Sequence, residues 1–141
     1  MSVSRKNQKI AEVIASHQGQ DLNPHYLGYF DCFNQQLFFE AHEVLEELWL
    51  PDRHGPNGAF YKGLIQLAGA FVHLQKRRRG PAAALFKLAL ANLAPYPAIH
   101  EQLELNDVLE LIEGWLQRLQ EDNGDNLLKD GGMPRLRLRS A

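Results

Sequence analysis

The sequence predicts an all-α fold, an up-and-down bundle of about five helices, and three observations carry that expectation. Leucine occurs 23 times and alanine 14 times, against ten valines and isoleucines together and no threonine. Residues that keep their rotamer freedom in a helix thus displace the β-branched ones that sheets favour. Apolar residues recur at i, i+3 and i+4 in several segments, the spacing of one helix face. Glycine, proline and asparagine break the chain at intervals of helical length.

The elements follow in order. Ile10, Val13 and Ile14 recur at helical spacing from Ser4 to His17, and Gly19 ends that helix. Asn23-Pro24 starts the next, with Asn as cap and Pro at the first helical position, and Leu27, Phe30 and Phe33 or Asn34 continue its stripe. A third helix covers Gln36 to Leu50, and the turn formers from Pro51 to Gly58 predict an exposed loop after it. A long helix runs from Ala59 to Arg79; Gly80-Pro81 stops it and opens another through Leu93, which Pro95 and Pro97 close. Asn106 or Asp107 caps the last, to Gln120, with Val108, Leu111, Ile112, Trp115 and Leu119 on one face. Residues 122–141 read as a flexible or extended tail to a single domain of 1–141. The alternation in Pro134-Arg135-Leu136-Arg137-Leu138-Arg139 sets both leucines on one side, and leaves two readings open: docking on the body or a neighbouring subunit, or a disordered basic tail.

At 141 residues the chain can bury a core without disulfides or a structural metal. A formal charge of −2 denies the whole protein the positive field of most nucleic-acid binders, so no nucleic-acid partner is expected. The single cysteine, Cys32, excludes an intramolecular disulfide, and a cytoplasmic location is the default. No apolar h-region follows the N-terminal basic residues, and Gly63 to Val72 is too short to cross a bilayer, so no membrane association is expected.

The run Phe33-Asn34-x-x-x-Phe38-Phe39-Glu40-Ala41-His42-Glu43-Val44-Leu45-Glu46-x-x-Trp49, followed by Tyr61-Lys62-Gly63-Leu64-Ile65-Gln66-Leu67-Ala68 and His73, closely resembles the helical family called domain of unknown function 309. Two separated signatures occur in the right order, and the likeness covers about Phe30 to Leu93. The resemblance implies a compact helical bundle; members are sometimes labelled metal-dependent hydrolases. It brings no substrate.

On a projection of the third helix, Phe38, Ala41, Leu45, Leu48 and Trp49 share the apolar face, with His42 beside them. Glu46 and then Glu43 follow round the helix, while Glu40 and Glu47 point away. On the long helix Lys62, Gln66, Gly69 and His73 fall on one side. If the two helices pack antiparallel, these seams bring His42, Glu43, Glu46, Gln66 and His73 together. His42, Glu46 and His73 then suit a divalent ion, Zn, Mn or Fe, with Glu43 as general base and Gln66 orienting substrate or water. His42-Glu43-x-x-Glu46 departs from the HExxH zinc-protease helix, because Glu stands for the second His, so a zinc protease is rejected.

Two functions compete on this evidence. One is metal-dependent hydrolysis of a small substrate. The other is a non-enzymatic helical module that binds a protein partner or forms a homodimer, the same residues serving as a buried specificity network. An open concavity above the seam favours the first and a sealed seam the second. Lys76-Arg77-Arg78-Arg79 is read as a complement to the helix dipole rather than a phosphate grip, Cys32 as a packed side chain rather than a nucleophile, and His17, His25, His54 and His100 as solvated.

Overall fold

The chain is described by a computed structural model over residues 5–19, 22–121 and 132–139. Six α-helices occur there: α1 (Arg5–Ser16), α2 (Pro24–Asn34), α3 (Phe38–Trp49), α4 (Gly58–Gln75), α5 (Arg79–Leu93) and α6 (Leu105–Glu121). Consecutive helices pack on one another. The helical class is as expected, with six helices rather than about five. No helix among the described residues is long and apolar enough to cross a membrane.

Local chemistry accounts for most of the boundaries. The Asn23 side chain accepts a hydrogen bond from the His25 N–H at 2.8 Å, with Pro24 at the start of α2 where its missing N–H costs nothing. Two boundaries differ from the sequence expectation for one shared reason. Gln36 (φ 66°) and Arg77 (φ 59°) adopt the left-handed conformation just past α2 and α4. The Leu37 N–H then bonds the Cys32 carbonyl at 2.9 Å and the Arg78 N–H bonds that of His73 at 2.8 Å, the six-to-one bonds of a Schellman stop. Neither residue is glycine, the usual mark of such a stop. The sequence reading therefore started α3 at Gln36 and ran α4 on to Arg79.

An aromatic chain ties the bundle together. Phe71 of α4 lies 5.6 Å from Phe33 of α2, 5.0 Å from Phe38 of α3, 5.2 Å from Phe86 of α5 and 5.5 Å from Trp115 of α6, ring centre to ring centre. Beside it, the fully buried Tyr29 hydroxyl donates to the Leu64 carbonyl at 2.6 Å, so its polar end is satisfied inside the core. Between α4 and α5, a Cβ on Gly63 would fall 2.6 Å from Leu93 Cγ, so only glycine fits.

The all-α expectation omits one short sheet. Strands β1 (Ile99–His100) and β2 (Leu103–Glu104) form an antiparallel ribbon. Its two-residue turn, Glu101-Gln102, has φ of 49° and 60°, the geometry that usually calls for Asn-Gly and so left no sequence signal. The turn is held from outside: Tyr26 Oη donates to the Glu101 carbonyl at 2.9 Å, and the Arg139 N–H donates to that of Gln102 at 2.7 Å.

The second bond belongs to the C-terminal segment, which docks on the helical body. Leu138 bridges Leu103, and Leu136 is only 5% exposed while Arg135 and Arg137 face solvent. Asn34 clamps it, donating to the Leu136 carbonyl and accepting the Leu136 N–H, both at 2.8 Å, as a neighbouring strand would. Gln36 Nε2 adds a bond to the Pro134 carbonyl at 3.1 Å. The mobile segment expected from Glu121 to Gly132 lies, apart from its two end residues, outside the described residues.

The clamp makes a prediction. Asn34→Ala orphans a donor and an acceptor on Leu136 and is expected to cost about 1–3 kcal/mol in urea denaturation. Gln35→Ala, whose side chain bonds only the Asp31 carbonyl of its own helix among the described residues, should leave the midpoint in place. Equal midpoints for Asn34→Ala and wild type would show that tail docking does not stabilise the fold.

Candidate functional site

On α4, Lys62, Gln66, Gly69, His73 and Lys76 are spaced by four, three, four and three residues, so they form one straight seam about 21 Å long at 1.5 Å per residue. Phe39, His42 and Glu46 of α3 face it, Leu85 of α5 closes the far side, and Ile65 and Val72 complete an apolar lining. The result is a groove of about 420 Å³. Gly69 keeps it wide, since a Cβ there would meet Leu85 Cδ1 at 3.2 Å.

Of the five residues the sequence brings together, His42, Glu46, Gln66 and His73 line this groove. Glu43 does not. It lies one residue beyond His42, about 100° round the helix, and its Oε1 is 4.0 Å from His42 Nδ1, too far for a hydrogen bond. Glu46, one turn on, meets His42 instead: Nε2 lies 3.2 Å from Oε2.

Among the described residues, both groove histidines bury Nδ1 without a hydrogen-bond partner. A buried N–H left orphaned is rarer than an orphaned acceptor, so Nδ1 is assigned as the bare nitrogen and Nε2 as the N–H in each ring. His42 Nε2 thus faces the Glu46 carboxylate at 3.2 Å. The His73 imidazole is held below the usual 6.5, first by desolvation and then by the cations Arg78 and Lys76, so it is neutral at pH 7.

Gln66, 9% exposed, is held by a residue the sequence reading missed: Asn92 of α5 donates from Nδ2 to Gln66 Oε1 at 2.7 Å. Its N–H pair is then the polar end left for the groove. Asparagine among the alanines and leucines of α5 was the available signal. Lys62 lies with Nζ 4.3 Å from the centre of the Trp49 ring.

The metal expected from the sequence was Zn, Mn or Fe. His42 Nε2 and Glu46 Oε2, 3.2 Å apart, have a separation that two donors to one ion can adopt. His73 is not grouped with them, and among the described residues no three His, Cys, Asp or Glu side chains come together to hold an ion.

Elsewhere, three histidines read as solvated have partners. His17 pairs with Asp31, His25 Nε2 lies 3.0 Å from Glu47 Oε2, and His100 Nε2 lies 2.7 Å from Asn57 Oδ1. None lines the groove. Cys32 is 1% exposed in the core, as its packed reading expects.

Fold and groove together define a class: a helical domain that gathers its polar side chains on one open seam between two helices. Residues 26–85, a stretch that holds every groove residue, match the family described as Domain of unknown function (DUF309). An uncharacterised protein of Bacillus subtilis (strain 168), YpuF, is 29% identical over 85 residues, 59% of this chain and 49% of that protein. The chain thus spans about half the length of this relative. No solved structure matches the chain.

The His73 environment fixes the sign of a pH effect. Its folded pKa lies below the unfolded 6.5, so between the two values the unfolded chain binds more protons. Stability from this group is complete above about 6.5 and falls as pH drops below it. Urea midpoints at neutral and mildly acid pH should therefore fall further in wild type than in His73→Gln. Equal falls would exclude His73 as the titrating group.

Proposed function

We propose that the groove between α3 and α4 binds a small organic substrate and that the His42–Glu46 pair moves protons on it in a hydrolysis. The observation supporting this is that the polar seam is open. A specificity network in a scaffold gains from being sealed, whereas here the polar groups border about 420 Å³ of accessible space with apolar walls. In this reading Glu46 takes the place the sequence gave to Glu43. Its carboxylate accepts a proton from water as the hydroxide oxygen attacks the substrate, then returns that proton to the leaving group. His42 Nε2–H orients the carboxylate, while the Gln66 amide and His73 Nε2–H stabilise the oxygen on which charge develops.

A panel of chromogenic carboxylate and phosphate esters tests the reading. Glu46→Gln should lower turnover by about 10²-fold or more, the usual contribution of a positioned acid–base group. Glu40→Ala, on the other side of α3, should not change it. Turnover by wild type no faster than by Glu46→Gln would remove the catalytic assignment.

A divalent ion held by His42, Glu46 and His73 is a second reading, favoured by the 3.2 Å pair and the partnerless His73 Nδ1. It requires His73 to reorient and His42 to shift its proton from Nε2 to Nδ1. Protein purified without chelator would then carry near-stoichiometric metal, with less in His42→Ala and His73→Ala, and chelator would lower the wild-type Tm. Protein that stays empty after incubation with Zn²⁺, Mn²⁺ and Fe²⁺ would eliminate this reading.

A further inference from the structure

Resting on the groove assignment above, we propose that its ligand is a small phosphate ester, the phosphate seated at the groove end formed by His73, Lys76 and the turn that follows. The first support is that the α4 seam presents donors only. Lys62 Nζ, the Gln66 amide N–H pair, His73 Nε2–H and Lys76 Nζ lie along one line, and among the described residues the only carboxylate lining the groove, Glu46, lies 3.2 Å from His42 Nε2. Such a seam suits a ligand rich in acceptor oxygens.

Charge decides between a phosphate and a carboxylate. At the α3 end, Lys62 and Glu46 offset one another. At the other end Lys76, Arg77 and Arg78 are exposed, and no ion pair involves them among the described residues. Reading this run as a complement to the α4 dipole accounts for only part of it, because a helix C-terminus carries the equivalent of about half a negative charge. The surplus is about two and a half positive charges, enough for a phosphate dianion and well beyond a monocarboxylate. That surplus borders the groove, since Lys76 lines it beside His73 and Arg77 and Arg78 follow directly in the chain.

The backbone supplies a separate observation. Arg77 occupies the left-handed position of the Schellman stop, where glycine fits without steric penalty. A cation kept at a position that disfavours any side chain points to a use for its charge. A nucleic-acid backbone offers the same phosphate chemistry. The net charge of −2 and the apolar walls of a groove of about 420 Å³ favour a small ester.

Amide and side-chain NMR of the full chain with phenyl phosphate as probe tests the proposal, using phenylacetate, benzyl alcohol and a short single-stranded oligonucleotide as comparisons. Phenyl phosphate should shift the Gln66 side-chain amide and the His73 ring at concentrations where phenylacetate and benzyl alcohol do not. Lys76→Gln with Arg78→Gln should raise its Kd at least about tenfold, as expected for losing charge-assisted contacts. Arg77→Gly should weaken binding while raising Tm, which separates loss of a contact from loss of the fold. Phenylacetate binding as tightly as phenyl phosphate would overturn the phosphate assignment and leave the groove intact. Oligonucleotide binding without a phenyl phosphate response would reassign the basic turn to nucleic acid. Silence of the groove residues towards every probe would overturn this proposal and the groove assignment together.

Discussion

Phe71 sits where five helices meet, its ring in contact with one aromatic side chain from each of α2, α3, α5 and α6. Those edge and stacked contacts fix the rotation of α4 about its own axis, because a buried ring cannot turn without emptying the space it fills. At 100° per residue, Lys62, Gln66, Gly69, His73 and Lys76 lie about 140–180° from Phe71. Locking Phe71 inward therefore turns that seam outward along its whole length. The groove is the reverse side of the core.

This arrangement explains how an apolar helix presents polar chemistry. Most of α4 is buried, so its few polar residues gather on the one face that packing leaves uncovered. Lys62 rests on the Trp49 ring and Gln66 is steered by Asn92, so each is held by a neighbour from another helix. Such restraint limits the ordering entropy a ligand would meet on binding. The exposed Lys76 and Arg78 also act on a buried nitrogen: with desolvation, they keep His73 neutral and so able to donate without adding charge.

The two left-handed stops join remote parts of the chain at one end of the bundle. Gln36 ends α2 and donates to Pro134 of the tail, while its carbonyl accepts from Gln75 at the end of α4. A non-glycine residue in this conformation costs about 1 kcal/mol. At Gln36 the bonds its side chain and carbonyl make offset that cost. The Arg77 side chain has no comparable bond among the described residues, which is why its charge enters the functional argument.

What the sequence determined by itself is local. Helix class, the Asn23 cap and the alignment of Lys62, Gln66, Gly69 and His73 all follow from spacings of three and four residues, which a chain carries wherever it packs. The pairing of His42 with Glu46 is equally local, one helical turn. Tertiary structure decided the rest. Glu46 and not Glu43 borders the groove because Phe38, Ala41 and Leu45 set the rotation of α3 against α4, a choice between positions about 60° apart on one helix. Asn92 reaches Gln66 across 26 residues and Asn34 reaches Leu136 across 102. His73 stands apart from the His42–Glu46 pair because it rides on a different helix, so its place depends on how α3 and α4 pack. Contacts of that kind depend on how whole helices are placed, and placement is set by the summed packing of the core, which leaves no periodic mark in the residues that finally touch.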